Sequence, residues 1–146
     1  MELINQKKSV IPACDVDSLK KLEEIVRATC LVTRIGGYKV GLELVIPFGL
    51  GEVVKIMRMH TELPIIYDHQ KGGTDIPELG AKFAKAVKSS GVDAVILFPF
   101  GGAATEREWI KACQGEDLVV LVGGHMTQKE FLEGEGGFIA EFGPER

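Results

Sequence analysis

Cysteine is scarce and unpatterned: Cys14, Cys30 and Cys113 are odd in number and far apart. With no CxxC pair, neither a zinc site nor a disulfide framework is indicated. Free thiols in a reducing cytosol are the simplest reading. Long apolar runs are missing too. The longest, Ala94 to Phe100, falls far short of the roughly 20 residues needed to span a bilayer, and Met1 to Lys8 holds no apolar core of signal-peptide type. There is no basic excess. The formal net charge is −4, whereas a nucleic-acid binder usually shows a basic face. No complete GxGxxG or Walker sequence is present. These absences point to a soluble cytoplasmic protein that engages neither nucleic acid nor membrane. A chain of 146 residues, 45% hydrophobic, suits one domain with a real core.

Five short apolar segments recur: Val10 to Cys14, Tyr38 to Val45, Pro64 to Tyr67, Ala94 to Phe98 and Leu118 to Val122. Their largely apolar, often β-branched character fits strands buried on both faces, as in parallel sheets. Helical patterns lie between them. Ser18 can cap a helix whose Leu19, Leu22, Ile25 and Val26 share a face. Val53, Ile56 and Met57 mark a second helix, and Ile76, Leu79, Phe83 and Val87 a third. Thr105-Glu-Arg-Glu108 reads as a capping box opening a fourth. The order βαβαβαβαβ predicts an α/β fold with right-handed crossovers. Two architectures remain: an open doubly wound sheet, or part of an eightfold β/α barrel. Gly143-Pro144-Glu145-Arg146 reads as the first turn of a helix. The expectation is therefore a partial (β/α)8 TIM barrel of about five parallel strands, a single incomplete domain over residues 1–146, cut after strand five.

The densest set of chemical groups is Tyr67-Asp-His-Gln-Lys-Gly-Gly-Thr-Asp-Ile-Pro77, directly after the third apolar segment. Sites in α/β folds form at the carboxyl ends of strands. Asp68 and Asp75 flank Lys71, Lys39 lies on the second strand, and Asp15 closes the first. A lysine between two carboxylates stays protonated, so it can donate a proton while its field stabilises a developing carbanion. A structural reading stands beside this one. Asp75 can serve as an N-cap with Pro77 in the first helical turn, and Asp68 and Lys71 can be solvated loop charges. His69 has no partner at metal-ligand spacing. Cys14 reads as core, and the pairs Gly101-Gly102 and Gly123-Gly124 read as tight turns or close approaches to a ligand.

Lys39-Val40-Gly41, followed by Asp68…Lys71…Asp75-Ile76-Pro77, resembles the signature of orotidine 5′-monophosphate decarboxylases. Ala13-Cys14-Asp15 resembles their first-strand end, and Gly123-Gly-His-Met-Thr127 their fifth. The resemblance implies a carboxy-lyase of pyrimidine (UMP) biosynthesis, converting orotidine 5′-monophosphate to uridine 5′-monophosphate and carbon dioxide. It implies roles as well. Asp15 would hold the ribose hydroxyls. Lys39 would join the charge array and contact the nucleotide, and Asp68 would sit near the substrate carboxylate. Lys71 would protonate C6. Asp75 would reach the partner subunit's site of a homodimer or higher homo-oligomer, with Ile76 beside it. Thr127 would touch the pyrimidine. No metal and no organic cofactor is implied.

The chain departs from the family in three respects. Its spacing is Asp-x-x-Lys-x-x-x-Asp rather than Asp-x-Lys-x-x-Asp, a longer form that resembles an archaeal-type branch. Leu79 stands where a threonine is common. The phosphate-holding glutamine and arginine of later strands have no counterpart, so the 146-residue chain by itself is expected to be at best a very poor decarboxylase. Two alternatives remain open: a sugar-phosphate lyase of the same wider group using Asp68 and magnesium, and a non-catalytic half-barrel that only binds or dimerises. Under the leading reading, Asp68, Lys71 and Lys39 should lie in one charged cluster at the carboxyl ends of the second and third strands.

Overall fold

The computed structural model describes residues 3–69 and 72–123. Lys71, Thr127, the glycine cluster at 134–137, the possible sixth strand at Phe138 to Phe142 and the Gly143–Arg146 turn lie outside the described residues. In chain order the elements are α1 (Leu19–Thr29), β1 (Tyr38–Val40), α2 (Leu42–Phe48), α3 (Leu50–Arg58) and β2 (Ile65–Asp68). A 3₁₀ turn (Pro77–Leu79), α4 (Gly80–Ser89), β3 (Ala94–Leu97), α5 (Ala103–Gly115) and β4 (Val119–Val122) follow. The four strands pair in parallel in the order β1-β2-β3-β4. The Val10 to Cys14 segment lies along the other side of β1. It pairs there through isolated parallel bridges, Val10 with Ile35 and Ala13 with Lys39. Pro12 has no N–H to give to a ladder, but its carbonyl still accepts from Lys39 N, and Cys14 N donates to Lys39 O.

Each segment therefore neighbours the next in the sequence. A doubly wound sheet reverses its strand order at a switch point, and no reversal occurs here. Sequential parallel order is that of a β/α barrel, so the fold is α/β, a partial TIM barrel.

Two local expectations are corrected. The second apolar segment is a strand only to Val40. Gly41 ends it, and Leu42 to Phe48 form α2, which buries Leu44 completely. The β-branched Val45 and Ile46 look strand-like, but burial of Leu44 and partial burial of Val45 against the core favour the helix. Pro47 sits near the helix end, and Gly49, at φ 79°, separates α2 from α3. The second correction concerns the capping box. The α5 helix starts at Ala103, ahead of Thr105, with Gly102 as N-cap at φ 97° and no side-chain cap. Ala103 and Ala104 are strong helix formers, and the Thr105 hydroxyl bonds elsewhere. The Ser18 cap is as expected, its Oγ accepting from Lys21 N.

Alternation along the strands separates two faces. Tyr38, Val40, Ile65, Tyr67, Val95 and Leu97 form the core with Leu22 and Val26 of α1, Val53, Val54 and Met57 of α3, Ala84 and Val87 of α4, and Trp109 and Cys113 of α5. Lys39, Ile66, Asp68 and Ile96 take the opposite parity, which is the inward face of a barrel.

A clamp closes the amino-terminal end of the sheet. The Arg58 guanidinium donates to Thr61 O, Leu63 O and, at 2.6 Å, Asp93 Oδ2. The same carboxylate oxygen accepts from Ile65 N. Truncating Arg58 strands acceptors that are only partly reached by water. Urea unfolding of Arg58→Ala should show a stability loss of about 1–3 kcal/mol with an unchanged denaturant slope.

Candidate active site

Lys39 pairs in register with Ile66, and Asp68 lies two residues further along β2, on the same face and at its carboxyl end. Lys39 Nζ donates to Asp68 Oδ2 at 2.7 Å and stands 4.0 Å from Asp15 Oδ2. Asp15 is held there because its neighbours Ala13 and Cys14 are fastened to Lys39 through the backbone. With Gly41, Leu42 and Glu43 these three residues line a cavity of about 200 Å³. The Asp68 side chain is only 10% exposed. Its second oxygen, Oδ1, is buried and has no hydrogen-bond partner among the described residues. An orphaned buried acceptor costs about 1–3 kcal/mol, and such exceptions concentrate where a structure does chemistry.

Burial is the largest single influence on the Lys39 ammonium and pulls its pKa down. The hydrogen bond that Lys39 donates to Asp68 and the charges of Asp68 and Asp15 together outweigh it, and the net direction is upward. Lys39 is therefore a fixed positive charge at neutral pH. Cys14, directly behind the cluster, is fully buried. Burial first, then the Asp15 charge, push its thiol up to about 11 despite the opposing pull of Lys39. It belongs to the core, as the sequence suggests.

His69 is not among the residues that line this pocket. Its Nδ1 lies 2.7 Å from the Tyr67 hydroxyl, and its ring packs beside Phe83, which in turn packs on Trp109. Asp75 is exposed; its Oδ1 accepts from Ile76 N at 2.7 Å, and Ile76 rather than Asp75 caps the 3₁₀ turn that Pro77 opens. Ile76 is largely exposed. The structure thus brings Asp15, Lys39 and Asp68 together, and neither Asp75 nor Ile76 lines that cavity. Lys71 and Thr127 lie outside the described residues.

The sequence reading passed over Glu43. On a strand it would share a face with Lys39 but stand two pleats further along. Started as α2 at Leu42, the chain brings it to the pocket rim. Pro47 was the available signal, since proline is foreign to a central strand.

A family profile matches residues 8–137. The chain belongs to the orotidine 5′-phosphate decarboxylase / HUMPS family. Among solved structures it is similar to orotidine 5′-monophosphate decarboxylase from Methanocaldococcus jannaschii, at 21% identity and a TM-score of 0.73, over 86% of this chain and 59% of that one. It is also similar to orotidine 5′-phosphate decarboxylase from Pyrococcus horikoshii, at 22% identity and a TM-score of 0.70, over 91% of this chain and 60% of that one. A third similar structure is the Methanocaldococcus jannaschii enzyme complexed with the inhibitor BMP, at 22% identity and a TM-score of 0.69. The chain thus spans about 60% of the length of the first two structures. No curated protein matches it. No helix among the described residues is long and apolar enough to cross a membrane.

Buried thiols make the fold of this family member sensitive to alkali. Cys14 and Cys113 both rise from an ordinary 9.0 to about 11 through burial, and burial also raises Tyr38 and Tyr67. A raised folded pKa means that the contribution is complete below the unfolded value and is lost as pH climbs through the folded one. Unfolding free energy measured by urea titration should fall from about pH 9 to 11, by on the order of 2 kcal/mol for each thiol. The Cys14→Ala/Cys113→Ala double variant should show a shallower fall over that interval.

Proposed function

We propose that the protein is a carboxy-lyase acting on orotidine 5′-monophosphate and releasing uridine 5′-monophosphate and carbon dioxide. The observation that carries this reading is the Lys39–Asp68 pair, with one carboxylate oxygen tied to the ammonium and the other buried without a partner among the described residues. A carboxylate placed beside the substrate's own carboxylate favours loss of that group as neutral carbon dioxide. The C–C bond breaks, its electron pair stays on C6, and a proton from the Lys71 ammonium neutralises it. Lys39 holds Asp68 in place. Asp15 suits a ribose diol, since an ionised carboxylate accepts two hydroxyl hydrogen bonds. Asp75 and Ile76 are assigned to the partner's site, and Thr127 to the pyrimidine. A cytoplasmic location goes with this reading.

The magnesium-dependent lyase alternative fits the residues poorly. The Lys39 ammonium already takes Asp68 Oδ2.

The test follows the absorbance of orotidine 5′-monophosphate with purified protein. Slow turnover at best is expected of this chain, and Lys71→Ala should abolish it with the fold retained. No turnover by the unaltered protein, or full turnover by the variant, overturns the reading.

Self-association belongs to the same proposal. Leu42, Ile46 and Phe48 on α2, and Leu121 and Val122 on the last described strand, are exposed apolar side chains, and exposed apolar surface of this kind recruits other chains. Sedimentation should show a dimer or larger species; a monomer at high concentration speaks against it.

A further inference from the structure

The segment Gly72–Ile76 connects the reactive end of β2 to α4, and it is tied down at both ends. At the first end Gly72 N donates to His69 O at 2.7 Å, and Phe98 N, just past β3, donates to Gly72 O at 2.6 Å. At the other end two side chains of α5 reach across. The Thr105 hydroxyl donates to Asp75 O at 3.0 Å, and the Trp109 indole N–H donates to Ile76 O at 3.0 Å. Both donors are almost wholly buried, at 2% and 4% exposure, so water does not compete for them. They sit four residues apart, one helical turn, and grip consecutive carbonyls.

Two glycines make room for this grip. A Cβ on Gly80 would meet Trp109 Cδ1 at 3.0 Å and Trp109 Cα at 3.1 Å. A Cβ on Gly101 would meet Thr105 Oγ1 at 3.1 Å and Asp75 O at 3.4 Å. Neither glycine has a positive φ, so close approach is what each supplies. Thr105 is a poor choice for a merely structural site: a valine would fill its volume with no hydroxyl to satisfy.

We propose that Thr105 and Trp109 are positioning residues, which set the Asp75–Ile76 backbone that the decarboxylase reading assigns to the reaction. This rests on that reading for its catalytic consequence, while the anchoring itself is independent of it. The grip fixes carbonyls rather than side chains, so it governs where Asp75 stands without altering its chemistry. A carboxylate moved by a fraction of an ångström loses more in the transition state than in the bound ground state.

The experiment compares the unaltered protein with Thr105→Val, Thr105→Ser and Trp109→Phe, measuring kcat and KM for orotidine 5′-monophosphate, thermal midpoint, and amide exchange over residues 72–79. Thr105→Val should lower kcat about ten- to a hundredfold with little change in KM. It should also speed exchange in that segment selectively, and Thr105→Ser should restore both. Trp109→Phe keeps most of the packing and should act in the same direction. Unaltered kcat in both Thr105→Val and Trp109→Phe overturns the proposal. So does a loss that tracks the thermal midpoint and spreads exchange evenly over the chain. If the unaltered protein shows no turnover, the decarboxylase reading fails and exchange decides the anchoring alone. Faster exchange in Thr105→Val with rescue by Thr105→Ser upholds it, and unchanged exchange overturns it.

Discussion

The register between β1 and β2 is the constraint from which the site follows. Lys39 beside Ile66 leaves Asp68 on the same face, one pleat further on, and the ion pair between them is a consequence of that alignment. Slipping either strand by one residue would send its charge into the apolar core and its core residues into the cavity. The pairing of Ala13 with Lys39 extends the same rule to Asp15. Two strands and one bridged segment supply three charges because each keeps its register with the next, and the hydrophobic face of the sheet holds that register in place.

The two ends of the sheet divide the work. At the amino-terminal end Arg58 and Asp93 satisfy backbone groups of the α3–β2 connection and of β2 itself. At the carboxyl end the charge array leaves a buried oxygen of Asp68 unsatisfied among the described residues. Among the described residues, one end carries a hydrogen-bonded clamp and the other a buried acceptor without a partner. A fold that spends its stability in this way needs a deep apolar layer between the two, and the core of Tyr38, Val40, Ile65, Tyr67, Val95 and Leu97 against the helices provides it.

Much of this was legible from residues alone. The Ser18 cap, the apolar stripes of α1 and α3 and the strand segments at Ile65, Ala94 and Val119 follow from local periodicity and capping chemistry, which one sequence displays; of the third stripe, Phe83 and Val87 lie on α4, whereas Leu79 falls in the 3₁₀ turn and Ile76 is exposed ahead of it. Periodicity could not choose between barrel and doubly wound sheet, because both share the same alternation and differ only in which strands touch; the terminal turn and the family signature pointed to the barrel, and the strand order agrees. Val45, where the expected strand ended, misled because burial of Leu44 overrode its intrinsic preference. Thr105 misled because a hydroxyl three residues before a glutamate looks like a cap wherever it occurs, and its true partner, Asp75 O, lies thirty residues away in sequence. Of the candidate site residues, those on strands, Lys39 and Asp68, were placed by periodicity. Asp75 and Ile76 lie in a connection whose path depends on tertiary contacts that no local pattern encodes.

Trp109 is the sole tryptophan of the chain. Its indole nitrogen is bonded to the carbonyl of Ile76, and its ring lies against Phe83 and Gly80. Excited at the indole band, the protein therefore emits from a single known position, in the seam between α4 and α5 and one hydrogen bond from the segment that follows Lys71. The wavelength of that emission depends on the dipoles around the ring, so the molecule carries an intrinsic optical probe of this connection, and its behaviour can be followed in solution without attaching any label.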